Sequence, residues 1–190
     1  MWIQTITGRK FDFDHVEGSE VDIEDVAHSL SHQCRFMGHS RVFYSIAEHC
    51  IRIWKQLREE GYPLSIQKWG LLHDAAEAYT SDIPRPLKHW IRHYCPAFDL
   101  LEERVERHVW DSFGLTGDLP LEVKIADARM LLTEKRDLLA EAPQPWEFEQ
   151  VSDPKLTPYP HVRIHPVMPP TIKAEFLLAY QTILNEEKGG

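Results

Sequence analysis

Residues 69–88, WGLLHDAAEAYTSDIPRPLK, set an imidazole and a carboxylate, His73 and Asp74, directly after the apolar Trp69, Leu71 and Leu72. A charge buried in a helix interior is costly unless something pairs with it, and a bound cation is the simplest partner. Imidazole nitrogen together with carboxylate oxygen suits Mn, Fe, Co, Ni or Zn better than Ca. Glu77 follows His73 by four residues and Asp74 by three, so on a helix it shares their face one turn further on. Ala75 and Ala76 leave room for the backbone to approach an ion. Asp82 stands just before Ile83-Pro84. Proline disfavours helix in the residue before it, so Asp82 is expected on the loop at the helix end.

Two ligands do not make a site, and two further positions are similarly uncomfortable. In RVFYSIAEHCIRIW (41–54), Val42, Ile46, His49 and Ile53 fall on one stripe of a helix that should face the core. In LEVKIADARMLL (121–132), Asp127 lies among Val123, Met130 and Leu131 on one face. An uncompensated carboxylate there would carry a large pKa shift. One cation would satisfy His49, His73, Asp74 and Asp127 together. Taken singly, the same residues have ordinary readings: His49 as a satisfied core or surface histidine, Glu77 as a solvated helix residue, and Asp82 as the cap of the Ile-Pro turn. Arg35, in the connection CRFMGHS (34–40), could pair with the acidic EVDIED (20–25), and Lys88 could simply be solvated.

The order His49, then His73 with Asp74, then Asp127 resembles the H…HD…D signature of the HD phosphohydrolase superfamily. HDAAEAYTSDIPRPLK (73–88) is similar to the stretch that follows the HD pair in small bacterial 5'-deoxynucleotidases of that superfamily. ITGRKFDF (6–13) and DVAHSLSHQCRFMGHS (25–40) look like the opening of phage and prophage HD hydrolases, the dATP triphosphohydrolases among them. The similarity spans roughly residues 1–140. It implies a helical bundle with His49, His73, Asp74 and Asp127 as ligands of a divalent cation (Co, Mn, Zn, Ni, Fe or Mg). It also implies catalytic roles for Glu77 and Asp82 and a substrate-phosphate contact for Arg35. Where the deoxynucleotidases carry Trp after that Arg, this chain has Phe36, which can still stack on a base or sugar. Lys88 is a further candidate phosphate contact. The activity implied is hydrolysis of the 5' phosphate ester of a deoxynucleotide, with a dNTP triphosphohydrolase and a non-catalytic nucleotide-binding module as alternatives. Relatives of this kind often assemble into dimers or rings, so a homo-oligomer is expected.

Composition frames these readings. At 190 residues, 43% hydrophobic with six Trp and eight Phe, the chain suits one substantial core, and a single domain over 1–190 is expected. A net charge of −9 argues against long nucleic acids, whose binding relies on many phosphate-neutralising cations. A mononucleotide brings few charges, which one ion and one or two cationic side chains can balance. No window approaches the ~20 apolar residues of a membrane span, and MWIQTITGRK lacks a signal-peptide core, so a cytoplasmic location is expected. Cys34, Cys50 and Cys95 are odd in number and widely spaced, and reduced thiols are expected.

The fold read from pattern is mostly α, with a small N-terminal β-hairpin or extended segment turning at Thr7-Gly8. Helices are expected at about 22–32, 40–60, 65–79, 84–93, 97–113, 119–141 and 170–187. The stretch from Pro143 to Pro170 holds eight prolines and is too long for a routine connection, so it should pack on the domain as an ordered loop.

Overall fold

The computed structural model describes residues 1–146, 149 and 156–189. The chain opens with an antiparallel hairpin, β1 (Trp2–Gln4) and β2 (Lys10–Asp12), in which Trp2 faces Asp12, Ile3 faces Phe11 and Gln4 faces Lys10. Two strands alone are marginal in water. This pair is held from outside: Phe11 is fully buried and stacks on Tyr79 at 4.0 Å between ring centroids. Thr7 donates its backbone N–H and its hydroxyl to Asp25.

Helix α1 (Ile23–His32) starts at Asp22, whose carboxylate accepts from the backbone N–H of Glu24, and it buries Val26, Ala27 and Leu30. Helix α2 (Ile46–Glu59) begins at Ser45, which caps the N–H of Glu48, and not near residue 40 as the pattern implied. The reason lies in the main chain. Arg35 N–H donates to Tyr44 C=O, Ile46 N–H to Gln33 C=O and Arg41 N–H to Leu138 C=O, so these groups are committed to other segments. Val42 consequently lies outside the helix and is exposed, while Ile46, His49 and Ile53 keep the expected stripe and are buried.

The expected helix over 65–79 is divided. Helix α3 (Leu64–Leu72) ends at His73, and a single turn, α4 (Glu77–Thr80), follows. Between them Ala75 bonds back to Leu72 and Glu77 to Asp74, the three-residue spacing of a tighter coil. The other helices with ranges among the described residues are α5 (Arg85–Tyr94), α6 (Ala97–Ser112), α7 (Leu121–Leu138) and α8 (Pro169–Gly189). No helix among the described residues is long and apolar enough to cross a membrane.

Helix α2 is the centre of the bundle, packed by α1, α3, α7 and α8. It meets α3 tightly at Gly70, where a Cβ would stand 2.3 Å from Leu57 Cδ1 and 3.3 Å from Ile53 Cγ2. By contrast, α5 buries none of its residues and packs chiefly on α6. The described part of the proline-rich stretch packs as expected. Tyr159 is buried, with its N–H on Thr133 Oγ1, and Ile164 N–H donates to Asp137. Part of that stretch (147–148 and 150–155) lies outside the described residues. Within the described part Tyr159 stacks against the Arg129 guanidinium and His161 meets Gln56, whereas Arg163 is bonded to nearby carbonyls.

Gly70→Val would force bulk into the α2–α3 contact, and overpacking of this kind costs about 1–3 kcal/mol. Urea unfolding of the variant should show a lower midpoint with an unchanged slope.

Candidate functional site

The tight turn after α3 delivers His73 and Asp74 side by side, and α2 delivers His49 opposite them. Asp74 Oδ2 lies 3.3 Å from His73 Nε2 and 3.7 Å from His49 Nε2. One ligand atom from each of the three residues falls within 4.8 Å of the others. Asp127, on α7, reaches His49 Nε2 at 3.1 Å from one side and lies outside that group of three.

The orientation of both imidazoles is fixed from behind. His49 Nδ1 is 2.6 Å from Glu134 Oε1, and His73 Nδ1 is 3.0 Å from Gly70 C=O. A carbonyl can only accept, so His73 Nδ1 carries the proton and its Nε2 presents a lone pair to the cluster. Nε2 of both histidines is buried and, although carboxylate oxygens stand 3.1 Å and 3.3 Å away, neither makes a well-aligned hydrogen bond among the described residues. Buried polar atoms are rarely left this way. Two inward-facing Nε2 atoms, each backed by a carboxylate or carbonyl, with Asp74 between them, make the donor set of a divalent transition metal. The residues present fit such an ion.

Glu134 was not anticipated. It is fully buried on α7 and accepts three hydrogen bonds: from His49 Nδ1, from Tyr44 Oη at 2.9 Å and from Arg35 Nε at 3.2 Å. Its signal was present in the chain, because Val123, Asp127, Met130 and Glu134 repeat at helical spacing and place two carboxylates on one stripe. Arg35 therefore lies at the site, but it does not pair with EVDIED. Its guanidinium is buried between Glu134 and Asp74, with Nη1 3.6 Å from Asp74 Oδ2. Phe36 and Met37 take consecutive left-handed conformations, φ 57° and 53°, which non-glycine residues seldom adopt. Phe36 is half-buried with the Arg35 guanidinium 5.5 Å from its ring.

Glu77 and Asp82 both belong to the acidic surround. Burial, and then the charges of Asp74 and Asp82, push the Glu77 carboxyl well above its ordinary range, and its Oε2 has no hydrogen-bond partner among the described residues. Asp82 occupies the loop between α4 and α5, after Ser81 at φ 68°, and burial raises its pKa against the pull of Arg35. Burial also opposes the charge on Asp74, but His73, His49 and Arg35 hold its carboxyl below the usual range. Lys88 is ion-paired with Glu102 at 2.9 Å, so its amine is already engaged. The turn itself is clamped by Trp110, whose Nε1–H donates to His73 C=O at 3.1 Å.

Removing the Glu134 carboxylate leaves the buried Arg35 uncompensated, so Glu134→Ala should lose about 3–5 kcal/mol of stability. Tyr44→Phe removes one hydrogen bond to a charged group and should lose about 1.5–3 kcal/mol. Paired denaturation curves check the order.

No family model matches the chain. It is 38% identical over 137 residues to the uncharacterized protein YfdR of Escherichia coli strain K12, covering 72% of each chain. To an uncharacterized protein of Rhodobacter capsulatus it is 28% identical over 201 residues, covering 99% of this chain and 98% of that one. The chain belongs to the same family as the Escherichia coli protein YfdR.

Proposed function

We propose that this protein is a metal-dependent phosphohydrolase that cleaves the 5' phosphate ester of deoxynucleotides. The observation that carries the reading is the convergence of His49 Nε2, His73 Nε2 and Asp74 Oδ2, with both imidazole nitrogens buried and facing carboxylate oxygens, Asp127 at 3.1 Å from His49 and Asp74 at 3.3 Å from His73. His49, His73 and Asp74 would hold the ion, with Asp127 against His49. A divalent ion, when bound, supplies Lewis acidity to a phosphoryl oxygen and acidifies water.

The chain's own groups have matching tasks. Glu77, kept protonated by burial and by the neighbouring carboxylates, holds a proton that the departing 5' oxygen requires. Arg35 offsets the charge of the phosphoryl group, and its place between Glu134 and Asp74 fixes its position before substrate arrives. Asp82, on the loop, orients water or the leaving oxygen. The cationic reserve favours a monophosphate over a triphosphate, because Arg35 is already shared by two carboxylates and Lys88 is tied to Glu102.

Chromatographic product analysis after incubation with each dNMP and dNTP plus Co or Mn tests the reading, with Asp74→Ala as the blank. Nucleoside and phosphate from monophosphates are the expected products. Nucleoside with intact triphosphate would replace this reading with a triphosphohydrolase, and no cleavage with any metal would overturn the catalytic assignment.

Metal uptake should also depend on pH. Burial and Arg35 push His49 down, but Glu134 and Asp127 outweigh them and raise its imidazole to about 10 in the metal-free protein. A ligand must lose its proton to bind, so affinity should rise as pH increases from 6.5 toward 9, by roughly tenfold per unit. Calorimetry in buffers of different ionisation enthalpy should detect the released proton.

A further inference from the structure

Helix α5, RPLKHWIRHY, turns much of its apolar side to solvent. Leu87, Trp90, Ile91 and Tyr94 recur at the i, i+3, i+4 and i+7 spacing with which a surface helix ordinarily meets its core. Yet Trp90 is 60% exposed, Tyr94 67% and Leu87 39%, and Ile91 is half-buried. Lys88 and Arg92, one turn apart, are the side chains that reach α6, where they meet Glu102 and Asp99. The helix is thus tied to its own subunit by charge and leaves an apolar stripe uncovered.

The stripe has the makings of an interface core. Trp90 and Tyr94 pack on each other with ring centroids 4.6 Å apart, and His93 meets Tyr94 edge-on at 4.7 Å. Rings fixed in this way lose little freedom when something docks on them, and Trp and Tyr are the usual anchors of protein interfaces. At their exposures these two rings alone leave roughly 200–300 Å² uncovered. A stable interface takes about 800 Å² per partner, so the stripe suits the centre of a dissociable contact with a polar rim.

We propose that this stripe is a self-association surface, on which α5 of a second copy of the chain lies antiparallel about a two-fold axis. The order of the residues points to that occupant. Leu87 and Tyr94 stand equally far from the midpoint between Trp90 and Ile91. A two-fold axis at that midpoint sets Leu87 against Tyr94 of the second copy and Trp90 against its Ile91, so one stripe complements itself. Charge agrees. Helix α5 has no acidic residue, but Glu102 and Asp99 neutralise Lys88 and Arg92, so two copies meet without strong like-charge repulsion. The same pairing removes the dense cationic fringe by which an amphipathic helix holds anionic lipid. Association would hold a helix that buries no residue in its own subunit, and with it the connection that carries Asp82.

Analytical ultracentrifugation of the full chain over a range of concentrations should show a reversible monomer–dimer equilibrium. Trp90→Glu, at an exposed position, should weaken it by roughly tenfold or more while leaving the circular dichroism spectrum unchanged. Cysteine pairs test the geometry in a Cys95→Ser background. Positions 87 and 94 lie about 10 Å apart along one helix, too far for a disulfide within a subunit. Oxidation of the Leu87→Cys, Tyr94→Cys double variant should therefore give a covalent dimer, while each single variant stays monomeric on denaturing gels. A monomer at every concentration, a dimer indifferent to Trp90→Glu, or single variants that crosslink as fast as the double would overturn the surface. So would a monomer that Trp90 carries onto anionic phosphatidylserine vesicles, because the occupant would then be lipid.

Discussion

The buried carboxylate of Glu134 is the constraint on which the site depends. A charge with no solvent access has to find its compensation within the fold. Glu134 finds it in a guanidinium, a phenol and an imidazole from separate parts of the chain. Each donor explains a local oddity. Tyr44 and Arg35 must converge on one residue, so the segment between them is bonded through Arg35 N–H to Tyr44 C=O instead of entering α2 early. Phe36 and Met37 then turn through left-handed backbone to leave Arg35 facing inward. The His49 ring is tethered at Nδ1, which leaves Nε2 for the interior of the cluster.

Much of this was legible in the sequence because it follows from periodicity. The apolar stripes of α1, α2 and α7, the proline before α5 and the Gly8 turn of the hairpin are local signals, and each led to its element. The cluster of His49, His73 and Asp74 could be anticipated because charged groups stood inside apolar stripes. What local pattern could not supply was tertiary pairing. Nothing within Val42–Ser45 says that its neighbours bond to Gln33, Arg35 and Leu138, so the start of α2 was set too early. The break after Leu72 has the same origin, since its tightened coil is clamped by Trp110 from a distant helix. Lys88 read as a candidate phosphate contact because Glu102, fourteen residues on, is not its neighbour in sequence.

Charge in the site is unevenly distributed. Glu134, Asp82, Asp74 and Asp127 all act on Arg35, and Glu77 adds a carboxyl that burial, with the charges of Asp74 and Asp82, keeps protonated. Electrostatics here is a competition for positive charge, in which a proton on His49 and a proton on Glu77 are two partial solutions. Small rearrangements of these groups therefore change protonation as much as geometry.

Helix α5 has a different standing from the rest of the bundle. It buries no residue, and ion pairs from Lys88 and Arg92 to Glu102 and Asp99 tie it to α6. Such partly exposed pairs are worth about 0–1 kcal/mol each. Lifting α5 away from α6 would thus expose little apolar surface and cost far less than global unfolding. Its amide hydrogens should accordingly exchange with solvent through local opening, while those of α2 wait for the bundle to come apart. Asp82, on the connection between α4 and α5, stands where this lightly held helix meets the turn clamped by Trp110.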